Sequence, residues 1–269
     1  MAKKNRSEHM DQSETSPTRA ADNAQSGLVL HSGRETTSDL HRLLDATVLA
    51  MAGLAEPGEP GNHLVRVQHY VRALAVKLKT SPTYGRPMSD AAITLMFRAA
   101  PLHDIGNAGI PDRVLLKPGA LSTDEIALVR THCDIGRASI DQIKSSAGFS
   151  TQFLELAREI VSGHHERWDG FGYPNSLAGE AIPMSARIMA LADAYDALTS
   201  DRVYRARVPH DRAVQTIFQE RGEHFDPDMV DALIEIQCEF ASIAQRYADT
   251  ELDLQRKMDY MAVAIAETP

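Results

Sequence analysis

The chain has 269 residues, 43% of them hydrophobic, and a formal net charge of -9. That length allows one sizeable buried core, while the acidic balance argues against broad nucleic-acid binding, which needs a basic face. Cys133 and Cys238 lie far apart with no CxxC, which suits a reducing, cytoplasmic setting, and neither an apolar signal core nor a membrane-spanning apolar run appears.

Residues 1–35 are polar and read as a disordered tail. "SDLHRLLDATVLAMAGLAE" then predicts a helix capped by Ser38 or Asp39, with Leu40, Leu43, Leu44, Val48, Met51 and Leu54 as an apolar stripe. "PGEPG" at 57–61 breaks it. "HLVRVQHYVRALAVKLK" and "SDAAITLMFRAAPLHDIG" predict the next two helices, the second capped near Ser89. "LSTDEIALVRTHCDIGRASIDQI" predicts one helix, capped by Ser122 or Thr123 with Glu125 close behind. "FLELAREIVSGHHER" and "MSARIMALADAYDALTSDRVYR" read as helical, and one or two helices follow from Pro227. No period-two pattern of useful length and no internal repeat is present. The fold class is therefore an all-α bundle with functional loops between helices.

Eleven histidines are many for this length. His63, His103, Asp104, His132, His164, His165 and Asp193 fall on five separate predicted helices or helix ends. Imidazole and carboxylate without thiolate suit Fe, Mn, Ni, Co or Zn, and a bundle can gather such side chains from distant helices around one interior point. Neighbouring residues on a helix diverge by about 100°. His103–Asp104 and His164–His165 can therefore each serve two adjacent metals. Asp193 sits mid-helix among apolar neighbours, which is costly unless it is paired or metal-bound; Asp196 is its rival for that role.

"HDIG…IPDRVLLKPGALS", "H…IG" at 132–136, "HHERWDGFGYP" at 164–174 and "RIMALADAYDALTSDRVYR" at 187–205 resemble the HD-GYP family, a branch of the HD-domain metal phosphohydrolases. The resemblance runs in order from about residue 58 to about 230. It implies an HD-domain-like helical bundle with extra helices and a GYP loop, and activity as a cyclic di-GMP phosphodiesterase. It implies two or three divalent ions, Fe or Mn foremost. His103 and Asp104 become the catalytic metal pair, with Asp104 bridging. Glu59, His63, His132, His164, His165 and Asp193 become the other ligands. Arg202 and Arg205 match cations that hold phosphate, and Gly172, Tyr173 and Pro174 belong to a loop beside the substrate. Trp168, Phe171 and Tyr173 offer rings to stack on guanine or to meet a partner domain. The implied layout is a tail at 1–35, a linker helix at 36–57, the HD-GYP domain at 58–248 and a C-terminal helix at 249–269.

In the implied mechanism a metal-bridging hydroxide attacks phosphorus in line and yields pGpG, GMP or both. The family usually reads His-Asp-x-Gly-Lys, but here the fifth position is Asn107, also expected at the substrate. An amide can hydrogen-bond but brings no charge to the phosphate. This departure keeps open a cyclic di-GMP sensor with little hydrolysis, beside an enzyme for another cyclic dinucleotide. Cys133 follows His132 where proline is common and reads as a small buried filler. Such domains often follow a sensory module, and the polar tail is not expected to form one. The linker stripe then either pairs with a second copy, docks a separate sensor or diguanylate cyclase protein, or closes the domain's own core. Neither a nucleic-acid polymer nor a membrane is an expected partner.

Overall fold

The computed structural model describes residues 36–56, 62–84, 88–201 and 206–266, with side chains as far as residue 262. The predicted tail, Glu59, Arg202 and Arg205 lie outside the described residues. The regular elements among the described residues are helical, beside one isolated bridge between Arg221 and Phe225. They are α1 (Thr37–Ala55), α2 (His63–Leu78), α3 (Asp90–Ala99), α4 (Asp112–Leu115), α5 (Thr123–Arg130), α6 (His132–Ala147), α7 (Gln152–Gly163), α8 (Met184–Thr199), α9 (His210–Gln219), α10 (Pro227–Arg246) and α11 (Glu251–Ala266). Short 3₁₀ turns occupy Ala100–Leu102, Ile105–Gly109 and Gly179–Ala181. No described helix is long and apolar enough to cross a membrane.

Helix α2 is the centre of the bundle. Val67, Tyr70, Val71, Leu74 and Leu78 recur at helical spacing and are all buried. Tyr70 stacks on Phe240 of α10 with centroids 4.6 Å apart, and Tyr195 of α8 meets the two rings edge-on at 5.2 and 5.0 Å. Large buried rings dominate a core of this kind; truncating Phe240 to Ala would cost about 3–5 kcal/mol. Helix α2 packs on α3, α8 and α10, and α7 packs on α3, α6 and α8.

Helix ends follow local chemistry, and several differ from the sequence reading. Ser89 caps α3 through Ala92 N, and Ser122 with Glu125 forms a reciprocal capping box on α5, both as expected. Helix α1 starts at Thr37, so Ser38 and Asp39 fall in its first turn rather than at its cap. Its stripe does not close the domain: Leu40, Leu43, Leu44, Met51 and Leu54 are exposed, and only Val48 of that set is buried, with Ala52 and Ala55. The helix expected through Gly106 ends at Ala99, where Pro101 removes a donor and the chain tightens into 3₁₀ geometry. The single helix expected from Leu121 breaks at Thr131, whose hydroxyl donates back to Leu128 O at 2.6 Å. Helix α7 stops at Gly163, so His164 and the residues after it are not helical as predicted. Helix α8 likewise stops at Thr199, short of the predicted end. Helix α9, carried by the buried Ala213, Val214 and Ile217, was not anticipated.

Candidate metal centre

These helix ends are what expose the polar side chains inward. His63 is the first residue of α2 and His132 the first of α6. His103 and Asp104 sit between two 3₁₀ turns, His164 and His165 directly follow α7, and Asp193 lies within α8. The second of those 3₁₀ turns presses on α6: a Cβ on Gly106 would lie 1.9 Å from His132 O and 2.7 Å from Gly136 N. Only glycine fits there, and its fit sets Asp104 against His132.

Four imidazoles are oriented alike. Nδ1 of His63 lies 2.8 Å from Asp196 Oδ2, that of His103 3.1 Å from Ala100 O, that of His132 2.7 Å from Val129 O, and that of His164 3.0 Å from Ile160 O. Each partner is an acceptor, so each Nδ1 donates and Nε2 is turned toward the interior. This is how metal-binding histidines are held. Asp104 Oδ1 lies 3.1 Å from His132 Nε2 and 3.3 Å from His164 Nε2. Asp104 Oδ1 and His164 Nε2 are buried, and neither has an aligned hydrogen-bond partner among the described residues. Asp193 Oδ1 lies 4.0 Å from Nε2 of both His63 and His103, while Glu56 Oε2 is 3.6 Å from His63 Nε2.

The side chains form two adjoining groups able to hold a cation: Asp104, His132, His164 and His165; and Glu56, His63 and His103. His103 and Asp104, consecutive in sequence, join them, with 3.9 Å between His103 Nε2 and Asp104 Oδ2. The donor set is nitrogen and carboxylate oxygen, and the inward Nε2 atoms with the buried Asp104 oxygen fit divalent ions.

The charges agree with that geometry. Burial opposes ionisation of Asp104, but His103, His132 and His164 overcome it and hold the carboxyl well below the usual range. Burial lowers His103 to about 3, aided by His164 and His63 against Asp104, so it is neutral at pH 7. Burial and the neighbouring His164 also push His165 well down. Burial lowers His132 too, yet the Asp104 carboxylate beside it outweighs this and raises it to about 11. That proton lies beside the same carboxylate a metal cation would engage.

The structure thus brings together His63, His103, Asp104, His132, His164, His165 and Asp193. Glu56 is the carboxylate the sequence reading missed. Its signal was an acidic residue directly after a helix C-terminus, where the helix dipole disfavours negative charge. Asp196 is not Asp193's rival but its complement. It is buried and accepts from Arg66, Ser200 and His63. Burial would raise its pKa; His63 and Arg66 overcome that and hold it at about 2. Asn107 Nδ2 donates to Asp104 Oδ2 at 3.1 Å. The Tyr173 ring stacks on His165 at 4.8 Å, and the Arg130 guanidinium lies 4.9 Å from that ring's centroid. Gly172 serves packing: a Cβ there would fall 2.3 Å from Arg167 N. Pro174, half-buried, follows Tyr173 through a cis peptide. The loop is tied down by buried Glu166, which accepts from Asn175 N at 2.8 Å and Leu177 N at 3.0 Å. Phe171 is 87% exposed, whereas Trp168 is half-buried under Arg187. Cys133 is fully buried, as a filler should be, with Sγ 3.4 Å from His132 Nε2.

The HD domain family model matches residues 55–229. This chain belongs to the HD-domain family. Its ordered motifs and relatives place it in the HD-GYP branch. This HD-domain chain is 48% identical over 217 residues to a Vibrio cholerae serotype O1 protein named "Probable cyclic di-GMP phosphodiesterase", covering 80% of this chain and 49% of that protein. It is 43% identical over 223 residues to a cyclic di-GMP phosphodiesterase of the same organism, covering 82% and 45%. It is 36% identical over 216 residues to that organism's 3'3'-cGAMP-specific phosphodiesterase 2, covering 80% and 38%. The chain therefore spans about half the length of the curated relatives it matches. A solved cyclic GMP-AMP-specific phosphodiesterase of V. cholerae shares the fold, with a TM-score of 0.53 at 18% identity, covering 83% of this chain and 59% of that one.

Proposed function

We propose that this HD-domain chain is a metal-dependent phosphodiesterase that hydrolyses cyclic di-GMP to pGpG, GMP or both. The observation that carries this reading is the convergence of inward-turned imidazole nitrogens on Asp104, Asp193 and Glu56 in two adjoining groups. The relatives named cyclic di-GMP phosphodiesterases support the substrate.

Asp104, His132, His164 and His165 would hold one ion, and Glu56, His63, His103 and Asp193 a second, with Fe or Mn the expected metals and a third ion compatible with the carboxylates present. Divalent ions there would supply Lewis-acid charge for a phosphodiester oxygen and lower the pKa of water. The chain's own residues do the rest. Backbone carbonyls and Asp196 fix the imidazole tautomers, so that Nε2 faces the site. His103 and His165 stay neutral and available through burial. Tyr173 lies over His165, with Arg130 against its ring, and holds that imidazole in place at the site. Arg202 and Arg205 are assigned to the ligand phosphates. Hydrolysis adds water across a P–O bond, leaving a 5'-phosphate and a free ribose hydroxyl.

Two observations favour second readings. Asn107 on Asp104, in place of a cation, favours a cyclic di-GMP sensor of low turnover. Similarity to a 3'3'-cGAMP-specific phosphodiesterase favours a mixed dinucleotide substrate. We also assign the chain to the cytoplasm, where free Cys133 and Cys238 stay reduced, with a sensor, a diguanylate cyclase or a second copy as partner. The deciding experiment is hydrolysis of cyclic di-GMP and 3'3'-cGAMP by protein prepared without oxygen and loaded with Fe(II) or Mn(II), products resolved by chromatography. Cyclic di-GMP turnover that Asp104→Ala lacks supports the proposal. Binding without turnover by fully metallated protein moves the reading to the sensor.

A further inference from the structure

The residue before His63 and the residue three after it are both held by one carboxylate from the far end of the chain. Asp249 Oδ1 accepts the backbone N–H of Asn62 at 3.0 Å, and Asp249 Oδ2 accepts Arg66 Nη1 at 3.0 Å. Arg66 Nη1 also donates to Tyr247 O at 3.0 Å, and Asn62 Nδ2 to Ala248 O at 3.3 Å. The connection between α10 and α11 thus closes over the first turn of α2. Asn62 is the N-cap residue of that helix but makes no side-chain cap bond, so Asp249 acts as the cap acceptor from outside. A carboxylate there also suits the positive end of the helix dipole.

The same guanidinium reaches the metal centre. Arg66 Nε lies 2.6 Å from Asp196 Oδ1 and Nη2 lies 3.1 Å from Asp196 Oδ2 and 2.8 Å from Ser200 Oγ. Asp196 Oδ2 in turn accepts His63 Nδ1–H at 2.8 Å. Arg66, Asp196 and His63 are each at least 97% buried as side chains. A buried guanidinium with all its neighbours placed has one orientation, and so do the carboxylate and imidazole it orders.

We infer that Asp249 is a positioning residue for the Glu56–His63–His103–Asp193 metal site, acting through Asn62 and through Arg66 and Asp196. It lies beyond residue 229, where the family match ends, so the centre is completed by a segment outside the matched domain. The inference rests on the metal reading of that site. Partners one shell out from a metal ligand typically control affinity by about 10–100-fold.

The test uses the full chain, cobalt(II) as probe, visible absorbance for each binding step, and elemental analysis for stoichiometry. Wild type, Asp249→Asn, Arg66→Lys and His63→Ala are compared, with metal-free melting temperatures measured alongside. Asp249→Asn is expected to weaken one cobalt step by about 10–100-fold and leave the other unchanged. Arg66→Lys keeps the charge but loses the fork and is expected to weaken the same step, which keeps the test alive if Asp249→Asn does not fold. A wild-type isotherm in both variants, with only the melting temperature lowered, overturns the inference and makes Asp249 a helix staple. An unchanged isotherm in His63→Ala overturns the metal reading instead.

Discussion

Asn107 donates its amide hydrogen to Asp104, the carboxylate that also lies against His132 and His164. The position that departs from the family motif is thus in contact with the candidate metal centre and not at its margin. An amide satisfies one carboxylate lone pair but brings no charge toward an anionic substrate. Asn107→Lys is expected to raise cyclic di-GMP turnover on the order of tenfold, about 1.4 kcal/mol of barrier, with metal content unchanged. Steady-state kinetics with elemental analysis check both halves. No gain would show that this position does not limit the reaction.

Asp104 is the carboxylate nearest two imidazoles, so its removal should empty the site rather than only slow it. Asp104→Ala and His103→Ala are each expected to lose bound metal and to lower turnover by at least on the order of a hundredfold. Both readouts are needed. Full metal content with full activity in either variant would remove these residues from the centre.

Glu56 is a carboxylate set against His63 and His103, while Glu59, four residues before His63, lies outside the described residues. Glu56→Gln keeps the shape and removes the charge. It should cost more metal than Glu59→Gln, by roughly tenfold in affinity. Titration of the two variants with Mn(II), followed by magnetic resonance of the free ion, ranks them directly. The reverse ranking would return the role to Glu59.

Asp196 gives a pH prediction whose sign is fixed. Its folded pKa, about 2, lies below its ordinary 3.8, so the folded state holds it ionised more tightly than the unfolded chain does. The resulting stability is fully present above the unfolded value and is lost as pH falls through about 2. The shift corresponds to about 2 kcal/mol. Urea midpoints of metal-free wild type and Asp196→Asn should converge as pH is lowered from 5 to 2. A constant gap across that range would contradict the assignment.

Gly106 has no room for a methyl group, because His132 O and Gly136 N occupy the space. Gly106→Ala is expected to destabilise the fold by about 1–3 kcal/mol and to weaken metal binding, since the turn carrying Asp104 must move off α6. Thermal melts and cobalt absorbance would register the two effects separately. A wild-type value in both would show that the backbone yields at no cost.

The helices with a full apolar face were legible from spacing, and Ser89 and Ser122 were legible as caps because their hydroxyls answer orphan N–H groups within three residues. Breaks at Pro101 and Thr131 were not, because each keeps the apolar rhythm running through it while changing backbone geometry. Helix α9 is short, with only three buried positions to signal it. The clustering of the candidate metal-binding side chains was legible because most of them come in compact motifs. Glu56 was hidden because it precedes the Pro-Gly stretch, and only the return of the chain into α2 sets it beside His63. Asp196 was visible as an out-of-place acid, but its partnership with Arg66 depends on a contact spanning 130 positions.

The side chains of the candidate metal centre come from six stretches spread along the chain between Glu56 and Asp193. An unfolded chain cannot offer that set at once, so ions held there would associate with the folded form almost alone. At a free ion concentration a hundred times the dissociation constant, each such site favours the folded form by about 2.7 kcal/mol. On the proposed reading, a cell short of the metal would hold fewer folded chains, and those that open would be cleared by proteases. On that reading, metal supply would bear on the amount of folded protein as well as on turnover.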